Sequence, residues 1–132
     1  ANSNARSLLF AARLTQSKEP RRTPMRRYMI QIKYNAASVK GLVAKPQDRK
    51  PQAAAIMEKL GGRLIDFWFT FGQWDAVIIV ELESDVHAMA VALADVAGEV
   101  GVTQVTALFD MTDAIAAMEL AGSIDYCAPG TD

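Results

Sequence analysis

The sequence predicts an α+β domain in which a four-stranded antiparallel sheet carries helices on one face and leaves the other bare. Three observations predict it. Arg63–Leu82 (RLIDFWFTFGQWDAVIIVEL) has strand-forming residues on both sides of Gly72-Gln73, and β-branched and aromatic side chains suit a pleated, half-buried surface. Tyr28–Tyr34 (YMIQIKY) alternates, with Tyr28, Ile30, Ile32 and Tyr34 on one face and Met29, Gln31 and Lys33 on the other, as a half-buried strand does. Two alanine-rich stretches, at 48–60 and 84–98, place apolar residues three and four apart, which is the spacing of a helix face.

A chain of 132 residues has room for one domain with one core. The single cysteine, Cys127, excludes an internal disulfide, and the single histidine, His87, leaves a zinc site short of nitrogen ligands. Metals and cofactors are therefore not expected, and the reducing cytoplasm is the expected compartment. No apolar run is long enough to cross a bilayer, so no membrane partner is expected. Charge is uneven: residues 1–27 hold seven Lys and Arg against Glu19 alone, whereas the rest holds seven basic and fourteen acidic residues. An acidic body argues against nucleic acid as a partner.

The chain divides into a basic N-terminal extension (1–24), a core domain (25–120) and a C-terminal tail (121–132). The extension is rich in Asn, Ser, Arg, Pro and Thr, with one short apolar run, SLLFAARL. It reads as a segment upstream of a natural start at Met25, with a docking helix or an Arg-rich targeting peptide as alternatives. After strand one, Ala36–Ala44 is weakly helical and interrupted by Gly41. Lys45-Pro46-Gln47-Asp48 breaks it. Asp48 then caps a second helix whose first turn accommodates Pro51 and whose buried stripe is Ala53, Ile56, Met57 and Leu60. Gly61-Gly62 ends that helix and leads into the hairpin.

Gly72 at the first central position of a two-residue loop fits a type II′ turn, which needs positive φ there. The implied register pairs Phe71 with Trp74, Phe69 with Ala76, Phe67 with Ile78 and Ile65 with Val80, all apolar. The opposite face pairs Thr70 with Asp75, Trp68 with Val77, Asp66 with Ile79 and Leu64 with Glu81. A slip of one residue would mix the two sets. Ser84 caps a further helix with the stripe Val86, Met89, Ala90, Leu93, Ala97 and Val100. Val102–Phe109 is the fourth strand and Thr112–Leu120 a short last helix. The order of strands and helices is that of a ferredoxin-like split βαβ sandwich. The bare face then carries Leu64, Trp68, Val77 and Ile79, more apolar surface than water usually covers. These four residues are the expected contact of a homodimer or higher homo-oligomer.

The run Leu60-Gly61-Gly62, Phe67-Trp68, Gly72-Gln73-Trp74-Asp75 and Glu81 resembles the GYD-domain proteins, with Gly72-Gln73-Trp74-Asp75 standing for the motif that names them. Lys40, Pro46-Gln47-Asp48-Arg49 and the alanines at 53–55 are also similar. The resemblance covers roughly Arg27 to Met118. It implies a ferredoxin-like fold of the dimeric α/β-barrel type and little about activity. One departure is Glu83-Ser84-Asp85, where the family often has Pro before an acidic pair. The turn also resembles the ligand-sensing domain of leucine-responsive regulators, but no helix-turn-helix precedes it.

The candidate pocket and motif residues are Tyr34, Arg49, Gly72, Trp74, Asp75 and His87. Two readings fit Asp75: a carboxylate presented to a ligand, or an acceptor for backbone N–H groups of the turn. Arg49 and Lys40 border the second helix, where an anion is favoured, although solvated side chains are the commoner case. The hydroxyls of Tyr28 and Tyr34 are the best polar groups for a ligand if their face lines the helix side. The Phe residues of the hairpin are expected in the core. His87 lies off its helix's apolar stripe and reads as a surface residue, and nothing near Cys127 marks it as reactive. No phosphate loop, nucleophile elbow or dinucleotide fingerprint is present. The expected function is a homo-oligomeric accessory or small-molecule-binding domain for an apolar or anionic ligand. The alternative is a cofactor-free, monooxygenase-like enzyme that uses Tyr34, Asp75 or His87.

Overall fold

The computed structural model describes residues 24–130; the expectations for residues 1–23 lie outside them. The order is β1 (Arg26–Tyr34), α1 (Ala36–Ala44), α2 (Lys50–Lys59), β2 (Arg63–Phe69), β3 (Ala76–Leu82), α3 (Asp85–Ala97), β4 (Gly101–Leu108) and α4 (Met111–Gly122). The strands form one sheet in the order β2-β3-β1-β4, antiparallel throughout. The period of two in β1 and β3 sends Tyr28, Ile30, Ile32, Ala76, Ile78, Val80 and Leu82 to one face, where Met57 of α2 and Ala88 and Val91 of α3 cover them. Each large aliphatic side chain buried there contributes about 1.5–3 kcal/mol relative to exposure.

Local chemistry sets the ends of the helices. Asn35 caps α1 by accepting from the Ser38 N–H at 2.8 Å, and α1 runs through Gly41 without the expected interruption. Asp48 lies just outside α2 and accepts from the Lys50 N–H at 2.9 Å, and Pro51 sits in the first turn. At the other end Gly61 donates to the Glu58 carbonyl and Gly62 to that of Met57, both at 2.9 Å. This paired pattern needs a left-handed residue, which is Gly61 at φ +75°. Gly62 is needed for a different reason: a Cβ there would lie 2.2 Å from the Glu81 carbonyl oxygen of β3. Asp110 caps α4 by accepting from the Asp113 N–H at 2.8 Å.

Four expectations are corrected. The hairpin register holds from Asp66 to Phe69, but a bulge at Ile65 shifts the pairing upstream, so Arg63 faces Glu81 and Leu64 faces Val80. One extra residue turns the side chains before it to the opposite faces. Leu64 therefore packs against the core and leaves the bare face, while Arg63 arrives there 2.7 Å from Glu81. Second, the strands end at Phe69 and Ala76, with the Thr70 N–H donating to the Asp75 carbonyl at 2.7 Å. Residues 71–74 form a longer loop. Gly72 does adopt φ +121°, but Phe71 projects from the turn, 98 % exposed, and Phe69 is exposed too.

Third, α3 seats on Ala88 and Val91 rather than on the stripe beginning at Val86; Val86, Met89 and Leu93 are exposed at 74, 64 and 62 %. The sequence DVHAMAVALADVA is apolar on more than one face, so spacing does not choose between them. The small side chain of Ala88 lets the helix approach the sheet, and Asp95, one turn after Val91, accepts from the Thr103 hydroxyl of β4 at 3.2 Å. Fourth, Ile56 of α2 is half exposed, while Met57 is the residue that α2 buries.

Candidate functional site

β1 and β2 flank β3 and run parallel, so their C-terminal residues meet at one end of the sheet. There the rings of Tyr34 and Phe69 stack with centroids 6.0 Å apart and planes at 19°. The connection between α1 and α2 passes over this end and closes a cleft. One part, about 280 Å³, is lined by Tyr34, Phe67, Phe69 and Leu42 below and by Gln47–Lys50 above. An adjoining part, about 310 Å³, shares Tyr34, Leu42, Gln47 and Arg49 and adds Ser38, Lys45 and Val100. They form an open groove of mixed lining, at the low end of the volumes of small-ligand sites.

Tyr34 and Arg49, both expected from sequence, thus come together. Burial raises the Tyr34 hydroxyl above the ordinary tyrosine range; the Arg49 charge opposes this, and Asp95 and Asp75 add to it. The phenol stays protonated at neutral pH and serves as a donor. Arg49 donates through Nη1 to Gln47 Oε1 at 3.1 Å. Lys40 is not among the lining residues. Sequence reasoning missed Lys45, Lys50 and Gln47. The available signal was four of the seven basic residues of the body falling between positions 40 and 50. It also missed Asp95, whose carboxyl is pushed up by burial and pulled down by the Thr103 hydrogen bond.

Gly72, Trp74 and Asp75 belong to the turn beside the cleft. Asp75 joins that turn to β1: its N–H donates to the Ile32 carbonyl at 2.8 Å, and its Oδ2 accepts from the Tyr34 N–H at 3.0 Å. Oδ1 meets Lys33 Nζ at 3.1 Å. The side chain supplies a sheet acceptor where β3 turns away. The Trp74 carbonyl accepts from the Thr70 hydroxyl at 2.7 Å, and that of Gly72 from Lys33 Nζ at 3.3 Å. Asp75→Ala is expected to cost about 1–3 kcal/mol by leaving the Tyr34 N–H without its acceptor. Asp75→Asn keeps an acceptor oxygen there and is expected to recover at least half of that loss, read as urea midpoints.

His87 lies elsewhere. Its Nδ1 is 2.7 Å from Ser84 Oγ and its Nε2 is 3.6 Å from Glu83, at the start of α3. Tyr28 marks the same end, donating to Asp85 Oδ1 at 2.6 Å. Six residues of extended chain separate Tyr28 from Tyr34, roughly 20 Å at strand rise. Tyr34, Asp75 and His87 therefore do not converge. Cys127 is exposed.

On the bare face Trp68 is 65 % exposed, beside Val77 in register, with Ile79 and Met29 paired in the next row. Glu81 closes this patch, 2.7 Å from both Arg27 and Arg63. Hydrogen bonds from Arg63 and then Arg27 hold its carboxyl at about 2, down from 4.5. A folded-state value below the unfolded one stabilises at pH above the unfolded value and is lost as pH falls toward the folded value. The thermal midpoint is therefore expected to drop between pH 4.5 and about 2. Glu81→Gln should lower the midpoint at pH 7 and flatten that drop in scanning calorimetry.

Among the described residues no helix is long and apolar enough to cross a membrane, and no group of three or more His, Cys, Asp or Glu gathers as metal ligands. The fold and site define a small α+β domain with one roofed and one open sheet face and a cleft at the sheet's end. The GYD domain model matches residues 28–118, more than half of the chain, and the chain belongs to the GYD-domain family. Gly72-Gln73-Trp74-Asp75, within the matched residues, builds the turn that Asp75 ties to β1. No curated protein and no solved structure matches the chain.

Proposed function

We propose that the chain is a homodimeric small-molecule-binding domain of the ferredoxin-like, dimeric α/β-barrel type. Two bare sheet faces meet, and the cleft beside Tyr34 holds the ligand. The observation that carries the assembly is Trp68, 65 % exposed on a sheet face where the apolar Met29, Val77 and Ile79 stand in the same rows as Gln31 and Asp66. An exposed patch of this kind marks a contact surface, and an isologous pairing covers it with a copy of itself. Leu64 has no part in this contact, because the bulge directs it to the core.

The cleft supports binding over the enzyme alternative. Of Tyr34, Asp75 and His87, only Tyr34 lines it, and both Asp75 oxygens already hold the β1 end and Lys33. A reacting centre needs its polar groups aimed at one point. Sedimentation equilibrium of the full chain at micromolar concentrations is expected to give twice the chain mass, and a monomer refutes the assembly. Native mass spectrometry of unrefolded protein is expected to show a small bound molecule lost on denaturation. Turnover of a substrate that survives Tyr34→Phe would remove Tyr34 from any catalytic role.

A further inference from the structure

The body of the chain is acidic, yet the cleft is not. Its lining holds three cations, Lys45, Arg49 and Lys50, and one carboxylate, Asp48. Among the described residues, Arg26, Arg27, Lys33 and Arg63 each have a carboxylate partner. The three cleft cations have no ion pair there, and neither do Lys40 and Lys59, so what distinguishes the cleft is three such cations gathered in one lining. Asp48 is 2.9 Å from the Lys50 N–H, capping α2, and Arg49 is held by a neutral amide, Gln47, through Nη1 alone. Its Nε and Nη2 hydrogens have no acceptor among the described residues. The rest of the lining is aromatic and aliphatic, with Tyr34 and Phe69 in near-parallel stack beside Phe67 and Leu42.

We infer that this cleft selects a small aromatic acid: a carboxylate joined to a planar apolar ring system. The assignment rests on reading the cleft as the binding site and names the class of its ligand. The guanidinium fork matches the two oxygens of a carboxylate. The Tyr34 hydroxyl, half-buried and without a hydrogen bond among the described residues, donates a further bond to the same group. The ring lies against Tyr34, Phe69 and Phe67 in offset or edge contact. A phosphate group is the poorer fit, because the Asp48 carboxylate in the lining opposes a second negative charge and Phe67, Phe69 and Leu42 offer no donors.

The test uses the full chain with three probes: 2-naphthoate, its neutral analogue 2-naphthamide, and inorganic phosphate. Binding is followed by calorimetry and by NMR shifts of the Tyr34 and Phe69 rings. 2-Naphthoate is expected to bind at least about tenfold more tightly than 2-naphthamide, the order of one charge-assisted contact. Arg49→Gln, at an exposed position, should bring the acid down to the affinity of the amide without moving the thermal midpoint, and Arg49→Lys should restore part of the difference. Equal affinity for acid and amide, or phosphate binding as tightly as the acid, overturns the aromatic-acid assignment while leaving the cleft as a binding site. No ring shift with any probe overturns both.

Discussion

Trp68→Arg is expected to convert the proposed dimer to a monomer with its secondary structure intact. In the single chain the indole is 65 % exposed, so the substitution removes little that the subunit needs to fold. In the proposed dimer it places a guanidinium in an apolar contact among Met29, Val77 and Ile79. An unpaired buried charge costs several kcal/mol, and a central Trp is the side-chain type on which association energy concentrates. The dissociation constant should rise by roughly a thousandfold or more. Light scattering reads the mass, and far-UV circular dichroism checks that the fold survives. Phe71→Arg is the control: Phe71 is 98 % exposed in the turn, and the mass should not change. A Trp68→Arg protein that keeps the dimer mass moves the contact off this sheet face.

Leu82→Ala and Leu93→Ala should separate by several kcal/mol, although the two leucines look alike in sequence. Leu82 ends β3 fully buried, against the corner where Gly62 approaches. Truncating it removes apolar contact and leaves a cavity, a cost of about 2–5 kcal/mol. Leu93 is exposed on α3, and its truncation in the monomeric Trp68→Arg background should cost no more than about 0.5 kcal/mol. Urea unfolding with unchanged slope measures both. A large loss at Leu93 would mean that α3 packs on the stripe beginning at Val86 after all.

The two leucines show where the sequence was legible. In β1 and β3 each residue's face follows from its parity, and every second residue is apolar, so Ile30, Ile78, Val80 and Leu82 are assignable from the sequence alone. In α3 the apolar residues cover more than one face, so spacing supported two seatings. The strand pairing from Asp66 to Phe69 was legible for the same reason as β1, and the bulge at Ile65 was not. Its gain lies across strands: it puts Arg63 beside Glu81 and Leu64 against the core. Of the site, Tyr34 and Arg49 were legible as residues, but their meeting was not. Asp75 was legible as a turn acceptor, though its acceptance from the Tyr34 N–H spans residues that only the sheet brings together.

The sequence by itself determined the order of strands and helices, the end of α2 at Gly61, the positive φ at Gly72 and membership of the GYD-domain family. These are local matters, set by the chemistry of neighbouring residues and by a repeat that one strand or one turn can express. Only the tertiary structure decided which face α3 presents to the sheet, which way Leu64 points, and that three cations without ion pairs among the described residues line a cleft with stacked Tyr34 and Phe69. Those features depend on distances between segments tens of residues apart. They are fixed when the elements pack, because packing and charge pairing are satisfied across the whole domain at once.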